Sequence, residues 1–169
     1  DEIALQKYGI TVETYDLSEL FRRVDQYADD DQKVLARAER LKNYTDCSRV
    51  PEKNMSNLAK VSVVIDDFIE EYQLDCITIR CWEEMQPILR IAPCVLLSEL
   101  NDRGIVASCE IDLCSAINMY ALMLASEKPA ACLDWNNNYG DDPDKAVLFH
   151  CGPVAQTLMT AKGTVTDHK

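Results

Sequence analysis

The hydrophobic pattern of the second half of the chain contains three short apolar runs, each bounded by polar segments. They read IVASCEID (105–112), AACLD (130–134) and AVLFHCG (146–152). Runs of this length between polar loops are typical of buried strands. Between the first two runs, Ala116–Ser126 has apolar residues at helical spacing. A strand–helix–strand unit implies parallel strands, so the pattern predicts a parallel sheet.

The rest of the chain alternates between segments with helical spacing of apolar residues and short apolar segments typical of strands. One helix is predicted to begin at a cap, either Asp16 or Ser18. Further helices are predicted at Gln32–Asn43, Asn54–Tyr72 and Pro93–Asn101, and strands at Ile10–Tyr15 and Asp75–Arg80. Residues 135–144 are rich in turn formers and are predicted to be a loop. This order predicts an α/β fold, a doubly wound, mainly parallel Rossmann-like sheet of about five strands flanked by helices.

A residue that can bind a metal or move a proton ends each of the three apolar runs. They are Glu110, Asp134 and His150. Open parallel sheets place ligand sites at the carboxyl ends of their strands, so we expect these side chains to converge. Carboxylate oxygens and an imidazole nitrogen suit Mn²⁺ or a related divalent cation. A carboxylate beside such a cation can also act as a general base.

Taken singly, several of these candidate residues also have a structural explanation that involves no metal or substrate. Glu110 and Asp112 both stand where a helix begins, and acidic residues are common N-caps, so we assign Asp112 to the cap. Trp82 could stack on a sugar face or serve as a core or interface residue. Asn136 could hydrogen-bond a polyol or simply form a loop. His168, near the end of the chain, is given no role.

Composition excludes several classes of function. The formal net charge of −12 and the lack of a basic stripe argue against nucleic-acid binding. No apolar run approaches the roughly 20 residues that span a bilayer, and no signal peptide is visible, so we expect a cytoplasmic location. No glycine pair has G-x-G spacing, which removes the dinucleotide and P-loop fingerprints. None of the eight cysteines forms a C-x-x-C pair, which argues against a zinc knuckle, and we expect reduced thiols.

Four segments together resemble a known family. They are RCWEEMQP (80–87), PCVLLSELNDRGIVASCEID (93–112), CLDWNNN (132–138) and FHCGP (149–153). In order and spacing they are similar to the fucose isomerase-like branch of the L-fucose/L-arabinose isomerase superfamily. The resemblance covers roughly residues 76–153 and implies the middle domain of a larger subunit.

The resemblance implies a site and a reaction. Glu110 and Asp134 would be the catalytic pair and would both bind a divalent cation, usually Mn²⁺, with His150 as a further ligand. The family's remaining histidine ligand lies in a later domain. The implied activity is aldose–ketose isomerisation of a small sugar through an enediol intermediate, in a trimer or hexamer with active sites between subunits.

These inferences give one reading of the chain and one alternative. Residues 1–153 are expected to form a sugar isomerase middle domain, and 154–169 to begin a linker or C-terminal domain. The site is Glu110, Asp134 and His150, with Trp82 and Asn136 as sugar contacts. The isolated piece is expected to be inactive. The alternative is a non-catalytic sugar-binding or regulatory domain of the same fold.

Overall fold

The described part of the protein contains helices, two short parallel strand pairs and one antiparallel hairpin. The structure is a computed structural model and describes residues 2–166. The helices are α1 (Glu2–Gln6), α2 (Leu17–Val24), α3 (Gln32–Tyr44), α4 (Glu52–Tyr72), α5 (Met85–Leu89), α6 (Cys94–Asp102) and α7 (Leu113–Ser126). The strands are β1 (Asp46–Arg49), β2 (Cys76–Ile79), β3 (Val106–Cys109), β4 (Asp134–Tyr139), β5 (Asp142–Phe149) and β6 (Thr164–Thr166). The α/β fold with parallel strands and flanking helices is therefore confirmed.

The strands form three separate pairs in the described residues, and not one sheet of about five strands. Strands β2 and β3 pair in parallel, and so do β1 and β6, whereas β4 and β5 are antiparallel. The β2–β3 register runs from Cys76 opposite Val106 to Ile79 opposite Cys109. Both of these strands therefore end at the same edge, which is the edge where the sequence predicts a site.

Strand β3 is fully buried because helices cover both of its faces. Side chains alternate along a strand, so Ala107 and Cys109 point to one face and Val106 and Ser108 to the other. Ala107 and Cys109 belong to the main apolar core, which α4 and α6 also line. Helix α7 packs on both β2 and β3. Burial on two faces explains why this run is almost continuously apolar.

The helices predicted from periodicity are confirmed, with ends that shift by up to three residues. Asp16 is the N-cap of α2, and its carboxylate accepts a hydrogen bond from the Ser18 N–H at 2.7 Å. Gly9, which follows the turn after α1, has a φ of +79°, a conformation that glycine adopts without the steric penalty of a Cβ. None of the helices in the described residues combines the length and apolar character that a membrane crossing requires.

The strand predicted at residues 10–15 is wrong. This segment has no regular structure, although its apolar and polar residues alternate. Its last residue, Tyr15, stacks on two rings of α4, with centroids 4.4 Å from Tyr72 and 5.7 Å from Phe68. Alternation alone could not predict a strand here because a strand also needs a partner, and this segment lies against a helix.

The strand predicted at residues 130–134 and the loop predicted at 135–144 are both wrong. Residues 130–133 are irregular, and β4 begins at Asp134 and forms a hairpin with β5. Tyr139 pairs with Asp142 across a two-residue loop, whose first residue, Gly140, has a φ of +56°. The residues predicted as a loop therefore form most of β4, the hairpin turn and the start of β5.

Asn101 occupies the backbone groups of Ala107, the residue that lies opposite Ile77 of β2. Its amide nitrogen donates to the Ala107 carbonyl at 2.8 Å, and its amide oxygen accepts from the Ala107 N–H at 3.1 Å. Both backbone groups that a further strand, in addition to β2, would need at Ala107 are thus already bonded. The same amide also donates to Leu97 O within α6 at 2.8 Å, and its bonds to Ala107 join α6 to β3.

The segment after residue 153 packs on the same body as the residues before it. The Asp102 carboxylate accepts hydrogen bonds from Tyr44 Oη at 2.6 Å and from the Gln156 N–H at 2.7 Å. Burial, followed by the bond to Asp102, raises the pKa of Tyr44 above its usual range. Ala155 is fully buried, and β6 pairs with β1. The assignment of 154–169 to a linker or further domain stays a prediction.

We expect Asn101→Ala to lower the free energy of unfolding by about 2 to 4 kcal/mol, because it leaves the buried backbone groups of Ala107 without partners. Urea denaturation followed by circular dichroism measures this. Asn118→Ala, an exposed position on α7, is the matched control. A loss at Asn101 no larger than that at Asn118 would show that water replaces the amide.

Candidate functional site

Glu110 lies at the carboxyl end of the parallel pair β2–β3, as the sequence predicts. Its N–H donates to Ile79 O at 3.1 Å, so the backbone at Glu110 continues the pairing by one residue. The residue itself is exposed, although Cys109 beside it is buried. The structure therefore presents a carboxylate to solvent directly above a buried strand end.

The backbone that holds Glu110 is strained. Glu110 and Ile111 have φ values of +65° and +57°, and the Asp112 N–H donates to Cys109 O at 3.2 Å. Two consecutive residues with positive φ define a turn that favours glycine, asparagine or aspartate, and a β-branched residue such as isoleucine is an outlier there. Such strain costs of order 1–3 kcal/mol per residue and clusters at functional sites.

Asp112 is a helix cap, as expected. Its carboxylate accepts from the Ser115 N–H at 2.9 Å and from Ser115 Oγ at 2.5 Å, at the start of α7. These bonds from Ser115 lower the pKa of Asp112. The cap fixes the far end of the strained turn, so Glu110 is held between a buried strand and a capped helix.

Asp134 does not end a strand but begins one. It is the first residue of β4, is exposed, and lies opposite Phe149 in the hairpin. The sequence interpretation failed here because the apolar run 130–133 does not enter the sheet. Asp134 nevertheless pairs with Phe149, the last residue of β5, which directly precedes His150.

His150 follows β5 directly and has a defined ring orientation. Its Nδ1 lies 2.9 Å from the backbone oxygen of Cys132. A carbonyl oxygen only accepts, so Nδ1 is the donor in this contact, and Nε2 makes no hydrogen bond within the described residues. Metal-binding histidines are commonly held in this way. The ring also lies over Gly152, where an added Cβ would collide first with His150 Nε2 and then with Cδ2, 2.6 Å away.

A chain of polar contacts connects the hairpin to the strained turn. Cys132, whose carbonyl oxygen bonds His150, places its thiol 3.1 Å from Ser115 Oγ. Ser115 in turn bonds Asp112, two residues after Glu110. His150 and Glu110 are therefore linked through the irregular segment 130–133 and the start of α7.

The three predicted ligand side chains do not meet in the described residues. Among residues 2–166, the group of three metal-ligating side chains with all ligand atoms within 4.8 Å comprises Cys81, Cys109 and Glu110. Asp134 and His150 are outside it. The assignment of the trio to a metal site therefore stays a prediction, and His168 lies outside the described residues.

The thiols beside Glu110 were not assigned a role from the sequence. Cys81 Sγ lies 3.7 Å from Cys109 Sγ, and this contact raises the pKa of Cys81 and lowers that of Cys109. A buried free cysteine within a strand behaves as a small apolar residue, and the burial of Cys109 fits this. The available signal was that Cys81 and Cys109 both come at the ends of strands that pair.

The two predicted sugar contacts are both exposed. Trp82 follows the buried Cys81 and is 58% accessible. Asn136 lies in β4 between Trp135 and Asn137, where the pairing with β5 shifts register. Such an irregularity re-aims side chains and is common near active sites. Neither residue contacts Glu110 in any hydrogen bond of the described residues, so both assignments stay predictions.

A charged groove elsewhere in the fold has a structural explanation. It measures about 350 Å³ and is lined in part by Arg37, Arg40 and Asp66. Arg37 pairs with Asp66, and Arg40 lies 2.5 Å from the buried carboxylate of Glu99. These arginines are engaged in ion pairs within the fold, so we do not assign the groove to a ligand.

Comparison with known proteins relates the chain to sugar isomerases. No family model matches it. It is 27% identical over 150 residues to a protein named sulfoquinovose isomerase from Priestia aryabhattai, covering 89% of this chain and 33% of that protein. Proteins of the same name from Alkalicoccus urumqiensis and Clostridium sp. (strain MSTE9) match at 26% and 24%, over 89% and 95% of this chain.

These matches support a distant relationship to sugar isomerases and leave the finer assignment open. The chain spans about a third of the length of the curated relatives it matches. The expectation of a sugar isomerase relative is therefore supported. The fucose isomerase-like branch stays a prediction.

We expect Ile111→Asn to raise the free energy of unfolding by about 1 kcal/mol, because asparagine tolerates the left-handed conformation better than isoleucine. Ile111 is half-exposed, so few contacts are lost. Urea denaturation measures the change. Ile88→Asn, an exposed position in α5 with ordinary helical geometry, is the control. Equal effects at both positions would show that the turn at Glu110 stores no strain.

We expect Gly152→Ala to lower the free energy of unfolding by about 1 kcal/mol, because the new methyl group must displace the His150 ring from its hydrogen bond with Cys132. A double-mutant cycle with His150→Ala isolates this contact. In the His150→Ala background the substitution should have no cost. The same loss in both backgrounds would mean that the methyl group disturbs something other than the imidazole.

Proposed function

We propose that this chain forms part of a metal-dependent isomerase that interconverts the aldose and ketose forms of a small sugar through an enediol intermediate. The observation that supports this most directly is the exposed Glu110 carboxylate, held by two strained residues at the carboxyl end of a parallel strand pair. The distant similarity to proteins named sulfoquinovose isomerase supports the same class.

Glu110 and Asp134 are the proposed acid–base pair. One carboxylate removes the proton from the sugar carbon next to the carbonyl group, and the other moves a proton between the two oxygens. A carboxylate suits this task when its position is fixed, because proton transfer requires hydrogen-bond distance to the reacting atom. The capped turn at Asp112 supplies that fixed position for Glu110.

The donor set of Glu110, Asp134 and His150 suits Mn²⁺, since carboxylate oxygens and a neutral imidazole nitrogen are ligands that this ion accepts. The hydrogen bond from Nδ1 to Cys132 leaves His150 Nε2 available for a cation. When bound, the cation would polarise the sugar carbonyl. Further ligands would come from outside this chain, which agrees with the inactivity we expect of the isolated 169 residues.

Trp82 and Asn136 are the proposed sugar contacts. An exposed indole offers a flat apolar face to a sugar ring, and the amide of Asn136 can both donate to and accept from hydroxyl groups. Asn136 sits at the register shift of β4, two residues from Asp134, so a sugar near that carboxylate would be within its range.

The exposed face of the β4–β5 hairpin supports a proposal about assembly. Trp135 and Leu148 lie opposite each other on one face of the hairpin and are 79% and 55% accessible. Large apolar side chains grouped in this way are typical of protein interfaces. We propose that a second copy covers this face in a homo-oligomer, as expected for a trimer or hexamer.

A non-catalytic sugar-binding or regulatory domain is the second candidate. Within the described residues Glu110, Asp134 and His150 do not form one group that could bind a shared cation. This favours the second candidate, because sugar binding alone requires no such cation. This candidate predicts sugar binding without a metal and without turnover.

The test uses the full-length protein that contains this chain, with Mn²⁺ and L-fucose, L-arabinose or sulfoquinovose. We expect ketose to form from at least one aldose. Glu110→Gln should lower kcat/KM by roughly 100-fold to 10,000-fold, the usual contribution of a positioned acid or base. Product formation is followed by chromatography.

Glu127→Gln, an exposed position at the end of α7, is the matched control and should keep full activity. Sugar binding measured by calorimetry without any turnover would overturn the isomerase proposal and favour the binding domain. Equal activity of the Glu110 and Glu127 variants would remove Glu110 from the site.

A further inference from the structure

Two thiols and one carboxylate meet where β2 and β3 end. Cys81 follows β2 by two residues, Cys109 is the last residue of β3, and Glu110 comes next. Both thiols are buried, and Glu110 is exposed. Their ligand atoms all lie within 4.8 Å of one another. The parallel register explains this, because Cys109 lies opposite Ile79 and only one residue separates Ile79 from Cys81.

The distances within this group fit a tetrahedral cation. Zn–S bonds are about 2.3 Å and Zn–O bonds about 2.1 Å, so two ligand atoms on a tetrahedral zinc lie about 3.6 to 3.8 Å apart. The Cys81 and Cys109 sulfurs are 3.7 Å apart, and Cys109 Sγ is 3.6 Å from Glu110 Oε1. Two edges of the tetrahedron are therefore present at the required length.

We propose that Cys81, Cys109 and Glu110 form a binding site for a thiophilic divalent cation such as Zn²⁺. The absence of a C-x-x-C pair does not argue against it, because the ligands come from two paired strands and not from one local loop. Thiolate ligands select this class of metal over Mn²⁺ and Mg²⁺. The proposal stands on these contacts and is independent of the proposed isomerase activity.

A water molecule is the candidate for the fourth ligand, which would give the open zinc geometry of three protein ligands. Cys94, at the start of α6, is outside the group in the described residues, and its sulfur lies 3.5 Å from the Cys151 backbone oxygen.

Glu110 belongs to both the proposed thiol site and the proposed isomerase site. The consequence of this overlap is the one part of the inference that rests on the proposed function. A cation at the two thiols would engage the same carboxylate that the isomerase proposal requires. A thiophilic metal and Mn²⁺ should therefore compete for Glu110, and Zn²⁺ should inhibit turnover. The binding test below does not depend on turnover, so the two proposals fail separately.

The test is a titration of the reduced 169-residue chain with Co²⁺, a spectroscopic substitute for Zn²⁺. We expect one equivalent to bind and to give a thiolate-to-cobalt charge-transfer band together with the strong visible bands of tetrahedral cobalt. Zn²⁺ should displace it. Cys81→Ala and Cys109→Ala should each weaken binding by at least roughly 100-fold, because each removes one of few ligand bonds.

Glu110→Gln alters an exposed side chain, so it should fold normally and still change the cobalt spectrum. Cys76→Ala, a half-buried thiol in β2, and Cys114→Ala, an exposed thiol in α7, are the controls and should bind like the parent. Circular dichroism of each variant checks folding. The proposal would be overturned if the parent chain gave no tetrahedral cobalt spectrum. It would also be overturned if Cys114→Ala abolished binding while Glu110→Gln bound at full strength.

Discussion

Helix α6 places three buried or half-buried polar side chains in the centre of the protein, and the fold depends on their partners. Glu99 is only 2% exposed and lies within ion-pair distance of Arg37 and Arg40 of α3 and of Arg103. Asn101 and Asp102 bond β3 and the C-terminal segment. A buried charge without a partner is strongly destabilising, so the three arginines around Glu99 favour this packing of α3 against α6.

This polar framework also positions the candidate site. Asn101 bonds the backbone of β3 at Ala107. The candidate side chains lie further along, where β2 and β3 end next to each other. The following residues, Glu110 and Ile111, adopt left-handed conformations because the chain must turn sharply from a buried strand into α7. A single irregular turn thus brings a carboxylate to solvent beside two buried thiols.

The similarity to longer sugar isomerases and the exposed apolar surface of the hairpin both fit a chain that packs against another chain or domain. The chain matches about a third of the length of its relatives, and its hairpin exposes a group of large apolar side chains. Surfaces of this kind are stabilised when another chain or domain covers them. A site composed of residues from more than one part of an assembly would explain why Glu110, Asp134 and His150 do not meet within residues 2–166.

Local sequence determined the elements whose signals are local. The helical periodicity of Gln32–Asn43 and Asn54–Tyr72, the cap at Asp16 and the strand ending at Cys109 could all be predicted, because they depend on spacing, capping and burial within a few residues. Glu110 at a strand end followed from the same reasoning.

Only the tertiary structure decided which segments pair. The run at 130–133 has the composition of a strand, yet β3 has no free backbone groups at Ala107 because a side chain from α6 takes them. Residues 135–144 have the composition of a loop, yet they pair with β5 as a hairpin. The grouping of Cys81 with Cys109 depends on the β2–β3 register, which relates residues 28 positions apart. Contacts at such separations are set by packing and hydrogen bonding across the whole fold, and no local pattern contains them.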